Sequence, residues 1–108
     1  MAVTESQHNG DGIARIATGR RVDSGTAAAF DITCGFRPRY VRVQNVTSGD
    51  GMEWFYGMSD ANAVKQVAAG DKTIITSLGI TPLVDGFTVG LDTDVNVTSE
   101  TVEWIAIG

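Results

Sequence analysis

The stretch Val84-Asp-Gly-Phe-Thr-Val-Gly-Leu-Asp-Thr-Asp-Val-Asn-Val-Thr-Ser-Glu-Thr-Val-Glu-Trp-Ile-Ala-Ile-Gly108 decides the fold. Phe87 and Val89 alternate with Thr88, Val95 and Val97 with Asp94 and Asn96, and Val102, Trp104 and Ala106 with Thr101 and Glu103. A period of two marks a strand with one face in a core and the other facing out. In Trp104-Ile-Ala-Ile107 the alternation fails, because Ile105 and Ile107 are apolar as well. Such a strand needs cover on both faces, from a second sheet or from another copy of the chain.

Upstream, the same period recurs. Ile13–Thr18 reads as a first weak strand and Gly19–Gly25 as a turn region, followed by a strand over Thr26–Cys34 with Phe30 and Ile32 inward. Pro38 breaks the pattern, since proline lacks the amide a central strand needs. Arg39–Val46 then places Val41 and Val43 on one face and Tyr40, Arg42 and Gln44 on the other. After the turn signal Thr47-Ser-Gly-Asp-Gly51 comes an aromatic strand, Met52–Met58. Asp60–Ala69 reads as a short helix capped by Asp60 and ended by Gly70, or Ala63–Ala68 reads as the first arm of a hairpin turning at Ala69–Lys72 into Thr73–Ser77. The hairpin is favoured because the flanking chain is so strongly β. A loop is expected at Gly79–Pro82. Short strands at intervals of roughly 8–12 residues predict an all-β fold. The expected form is a single compact β-sandwich or jelly-roll-like barrel of short antiparallel strands over residues 13–108. Residues 1–12, polar and glycine-containing, are expected to form an extended, flexible N-terminal arm.

A chain of 108 residues holds one domain, with 43% hydrophobic residues to fill its core. Cys34 is the only cysteine, which rules out an intrachain disulfide; it reads as a small buried hydrophobe, and its absence of partners suits a reducing host cytoplasm. The only histidine, His8, lies in the polar leader, so neither a nucleophile–base pair nor a Cys/His metal site is expected, and no cofactor. Asp92-Thr-Asp94-Val-Asn96 matches the first three oxygen-ligand positions of a calcium loop, with Glu103 twelfth. However, Val97 stands in the sixth place, where the sharp turn wants glycine. The bland reading is that Asp92 and Asp94 cap a turn and face solvent. The glycines are scattered at turns and open no phosphate loop. No run reaches the ~18 apolar residues of a membrane span, and the start lacks the features of a signal peptide, so no membrane role is expected and the Asn45 and Asn96 sequons are given little weight.

Charge is asymmetric. Six arginines lie in the first 42 residues against four carboxylates, whereas two lysines face nine carboxylates from Val43 onward. Net acidity (−5) opposes nucleic-acid binding. Beyond ordinary solubility, the asymmetry suggests that an arginine-bearing edge of one molecule meets an acidic surface of a neighbour, a role that suits the planar guanidinium. In the aromatic strand, Trp54 and Met58 read as core, with subunit contact or sugar stacking by Trp54 or Tyr56 as alternatives.

The series Phe36-Arg-Pro-Arg-Tyr-Val-Arg-Val43, Trp54-Phe-Tyr-Gly-Met58, Ile75-Thr-Ser-Leu-Gly-Ile80, Asp85-Gly-Phe-Thr-Val-Gly90, Val95-Asn96 and Trp104-Ile-Ala106 resembles small β-rich virion structural proteins of tailed bacteriophages. The resemblance covers roughly residues 26–108. A more distant likeness is to the H-type lectin sandwich, with no sugar-binding constellation matched. The resemblance implies a virion structural protein, either a capsid decoration (cement) protein on the outer surface of the head or a tail module, and brings no catalytic residue. On the decoration reading, residues 1–25 reach onto the major capsid protein, with Arg15, Arg20 and Arg21 making the charged contacts. Ile105 and Ile107, with Phe55, mediate self-association as a dimer or trimer. The alternative is a tail or fibre module binding a host receptor or carbohydrate.

Overall fold

The computed structural model describes residues 15–22 and 25–108. The arm proposed over residues 1–12, and Ile13 with it, lies outside the described residues. The fold is all-β. Among the described residues, eight strands run in chain order: β1 (Ile16–Val22), β2 (Phe30–Thr33), β3 (Tyr40–Asn45), β4 (Gly51–Phe55), β5 (Asn62–Gln66), β6 (Lys72–Pro82), β7 (Gly86–Val89) and β8 (Thr101–Ile107). All pair antiparallel in one continuous sheet of order β1-β8-β3-β4-β5-β6-β7-β2. The sheet curls on itself in a sandwich-like way. Phe87 of β7 meets Trp104 of β8 edge-on, with ring centroids 5.4 Å apart. The two edge strands approach where the guanidinium of Arg21 lies 4.1 Å over the Phe30 ring. Between these contacts one core joins Val41, Val43, Met52, Trp54, Ala63, Ile80, Phe87, Val89 and Ala106.

The alternation read for β3, β7 and β8 holds: Val41, Val43, Phe87, Val89, Val102 and Ala106 are buried. The middle of the chain is the hairpin β5–β6, in register from Gln66↔Lys72 to Ala63↔Ile75.

Three expectations are corrected. Gly19–Val22 is strand, not turn, because β1 pairs with β8 from Ile16↔Ile107 to Val22↔Thr101. The glycine is there for its neighbour: a Cβ at Gly19 would stand 2.5 Å from carbons of the Trp104 indole. The loop expected at Gly79–Pro82 is the end of β6, where Ile80 and Pro82 pair with Val89 and Phe87. Asp94–Val97 is not a strand. Asp92 Oδ1 accepts from the amides of Asp94 (3.0 Å) and Val95 (3.1 Å), and Asn96 Nδ2 donates to the carbonyls of Ala28 and Gly90. Short polar side chains that bond nearby backbone compete with a ladder, and here they win. Two strands are also shorter than expected: the Thr26–Cys34 strand is confined to Phe30–Thr33, and the aromatic strand stops at Phe55.

Candidate functional site

Strand alternation sorts β1, β8, β3 and β4 into a core side and an outer side. On the outer side the register lines residues into rows. Ile16, Ile107, Tyr40 and Phe55 form one row, and Thr18, Ile105, Arg42 and Glu53 the next. Arg20, Glu103 and Gln44 form a third. Ile16 is 61% and Phe55 46% exposed, while Ile105 and Ile107 are half-buried. The structure therefore brings Phe55, Ile105 and Ile107 onto one face and joins them through Tyr40, whose ring packs on Phe55 at 5.3 Å between centroids. The sequence reading places Ile16 in a first weak strand but gives it no role, because its place on this face comes from pairing with Ile107, a long-range contact with no local signal.

The polar members of the face are paired with one another. Tyr40 donates its hydroxyl to Glu53 Oε2 at 2.5 Å, Arg42 lies 3.5 Å from the same carboxylate and donates to Gln44 Oε1 at 3.0 Å, and Arg20 lies 3.0 Å from Glu103. Partial burial, then the hydrogen bond to Glu53 and its charge, push the Tyr40 phenol above its ordinary value of 10.0. An open groove of about 470 Å³ runs over β1, β8 and β3, lined by Thr18, Arg20, Arg42, Gln44, Glu103 and Ile105.

Of the three arginines singled out, Arg15 is exposed at the start of β1 and Arg20 belongs to the outer face. Arg21 has the opposite parity and is engaged over Phe30. Of the aromatics proposed for sugar stacking, Trp54 is buried and donates to the Ser59 carbonyl (3.2 Å), whereas Tyr56 is 58% exposed. Cys34 is half-buried, and its thiol donates to the Phe36 carbonyl.

Asp92 is buried rather than solvent-facing. Its Oδ2 and that of Asp94 lie 3.0 and 2.7 Å from Lys65 Nζ, so an ammonium occupies the place between the two carboxylates that a cation would take. Burial opposes the Lys65 charge, but the hydrogen bonds to Asp94 and Asp92 outweigh it and hold the ammonium above its ordinary value of 10.5. Among the described residues, no three His, Cys, Asp or Glu side chains gather as a metal set. The cluster fastens the 91–100 segment to β5.

A second exposed feature is built on strain. The β5–β6 register jumps from Ala63↔Ile75 to Asn62↔Ile80, so residues 76–79 stand out as a bulge. Leu78, in this bulge, has φ +62° and is 49% exposed. The left-handed conformation disfavours a side-chain-bearing residue by roughly 1–2 kcal/mol, and burial does little to offset it here. The surroundings impose it. Gly79 donates to the carbonyl of Ala61, itself at φ 65°; Gly90 donates to the carbonyl of Gly79; and the Gly90 backbone approaches Leu78 so closely that a Cβ there would stand 2.5 Å from it. Leu91 (37% exposed) follows Gly90, and exposed Asp60 precedes Ala61.

The class these observations define is a small all-β domain, one curled antiparallel sheet with a part-apolar outer face and a bulge that carries an exposed leucine. No protein-family model matches the chain, and neither a curated protein nor a solved structure matches it significantly.

Proposed function

We propose that this chain is a virion structural protein of a tailed bacteriophage, a capsid decoration protein that binds the assembled head shell and reinforces it. The observation that carries the binding role is the outer face: Ile16, Ile107, Tyr40 and Phe55 form a contiguous apolar and aromatic row across four strands, beside paired arginines and carboxylates. Apolar and aromatic groups next to arginine are the composition that protein interfaces favour. The virion assignment itself rests on the sequence resemblance over residues 26–108.

On this reading the domain carries no reaction. Phe55, Ile105 and Ile107 hold copies of the chain together as a dimer or trimer. Arg15 and Arg20 meet carboxylates of the major capsid protein, while Arg21 is committed to Phe30 within the chain. Many weak contacts repeated over a lattice add up through avidity.

The deciding experiment is quantitative mass spectrometry of purified particles. A ratio near or not far below one copy per major capsid protein supports lattice-wide decoration. A few to a few dozen copies moves the chain to the tail or a vertex, and absence from the particle defeats the virion reading. The alternative tail reading, receptor or carbohydrate binding, is favoured by one observation, the exposure of Tyr56 next to Phe55; saturable glycan binding lost in Tyr56→Ala would support it.

A further inference from the structure

We propose that copies of this chain associate with Leu78 of one molecule seated in the groove over Thr18 and Ile105 of a second copy. The inference rests on the self-association proposed above and not on the virion role.

The strain at Leu78 points to a contact. Glycine or asparagine would hold φ +62° at less disadvantage, yet the position carries a leucine whose side chain stands largely in solvent. A strained residue held in place by its surroundings, with no return in core packing, marks a place where the side chain is used. The molecule also carries a receptacle for such a knob. The groove of about 470 Å³ has Ile105 beside Thr18, cross-strand partners on β8 and β1, and a leucine side chain fills only part of it. The groove spans β1, β8 and β3, whereas the bulge belongs to β6, which meets β5 and β7 in the sheet, so only a second copy brings knob and groove together.

Charge favours the same pairing. Asp60, exposed beside the bulge, approaches a groove flanked by Arg42, whose side chain is 43% exposed. Glu53 and Gln44 engage this arginine, but a guanidinium has five N–H donors and keeps some for a further carboxylate. This gives a structural form to the charge asymmetry of the sequence. Knob and groove lie on different strands, so the contact is either exchanged reciprocally about a two-fold axis or, unreciprocated, closes into a ring of three or more or propagates as a chain.

Sedimentation equilibrium of the full chain, run beside thermal melts at a concentration too low for association, tests this. The wild type is expected to associate. Leu78→Gly and Leu78→Asn are expected to weaken association at least tenfold while melting at the same or a higher temperature. In a Cys34→Ala background, a Leu78→Cys chain mixed with a Thr18→Cys chain is expected to form disulfide-linked dimers faster than either chain alone. A wild type that stays monomeric overturns both the self-association and this inference. A wild type that associates, with Leu78→Gly associating equally well, overturns this inference alone. A lower melting temperature for Leu78→Gly also overturns it, because the leucine would then be serving the fold. The particle stoichiometry that tests the virion role is independent of all three results.

Discussion

Trp104 lays its indole across Gly19, so that a Cβ at position 19 would stand 2.5 Å from two of the ring carbons. The ring also meets Phe87 edge-on, with centroids 5.4 Å apart, which restricts its movement. This one contact ties the edge strand β1 to the core and to the far limb of the sheet.

Gly19→Ala is therefore expected to destabilise the fold by about 1–3 kcal/mol, the usual range for overpacking a filled site. Urea unfolding followed by tryptophan fluorescence measures it. An unchanged midpoint would mean that the ring has room to move.

Lys65 fastens the 91–100 segment to β5 through Asp92 and Asp94. Lys65→Met leaves the buried Asp92 carboxylate without its cation and is expected to remove about 2–3 kcal/mol, somewhat less than for a fully buried pair because Asp94 stays half-solvated. Asp94→Asn is expected to remove less than about 1 kcal/mol, as for exposed pairs. If the two substitutions proved equal in chemical denaturation, the burial argument would fail.

Alkaline pH should weaken the fold through two groups. Both Lys65 and Tyr40 have folded values raised above their ordinary 10.5 and 10.0, so the native state holds their protons more tightly than the unfolded chain does. The stability this contributes is fully present below those ordinary values and is lost as pH rises through the higher folded ones. Melting temperatures measured from pH 8 to 11.5 should fall from about pH 10 upward, more gently in Tyr40→Phe and Lys65→Met. A profile as steep in both variants as in the wild type would assign the loss elsewhere.

On the outer face, Phe55→Ser is expected to change stability little, because the ring is half-exposed, and to weaken self-association. Sedimentation velocity distinguishes the two effects, and unchanged association would remove Phe55 from the interface.

For the proposed shell contact, deletion of residues 1–12 is expected to reduce binding to capsids while leaving the melting temperature of the domain within about 2 °C, since one kcal/mol shifts a domain of this size by roughly 4–8 °C. Undiminished binding in a co-sedimentation assay would refute a role for that segment.

The all-β class and the inward residues of β3, β7 and β8 were legible in the sequence, because a half-buried strand writes its burial as a period of two that needs no knowledge of its partner. The turn at Gly49 and the hairpin at Gly70 were legible for a similarly local reason: both glycines have the positive φ that favours glycine at a turn. What could not be read locally was any feature caused by a distant neighbour. Gly19 carries a turn signal in the sequence and sits mid-strand in the molecule because Trp104, 85 residues away, occupies the space its side chain would need. Val95 and Val97 alternate as in a strand, yet Asp92 and Asn96 hydrogen-bond the backbone around them in place of a ladder. Likewise Phe55, Ile105 and Ile107 could be named singly from parity, but their joining with Ile16 and Tyr40 into one face follows from β8 lying between β1 and β3. Local chemistry determined the strands; the strand order, a long-range choice made by packing, decided which of their side chains meet.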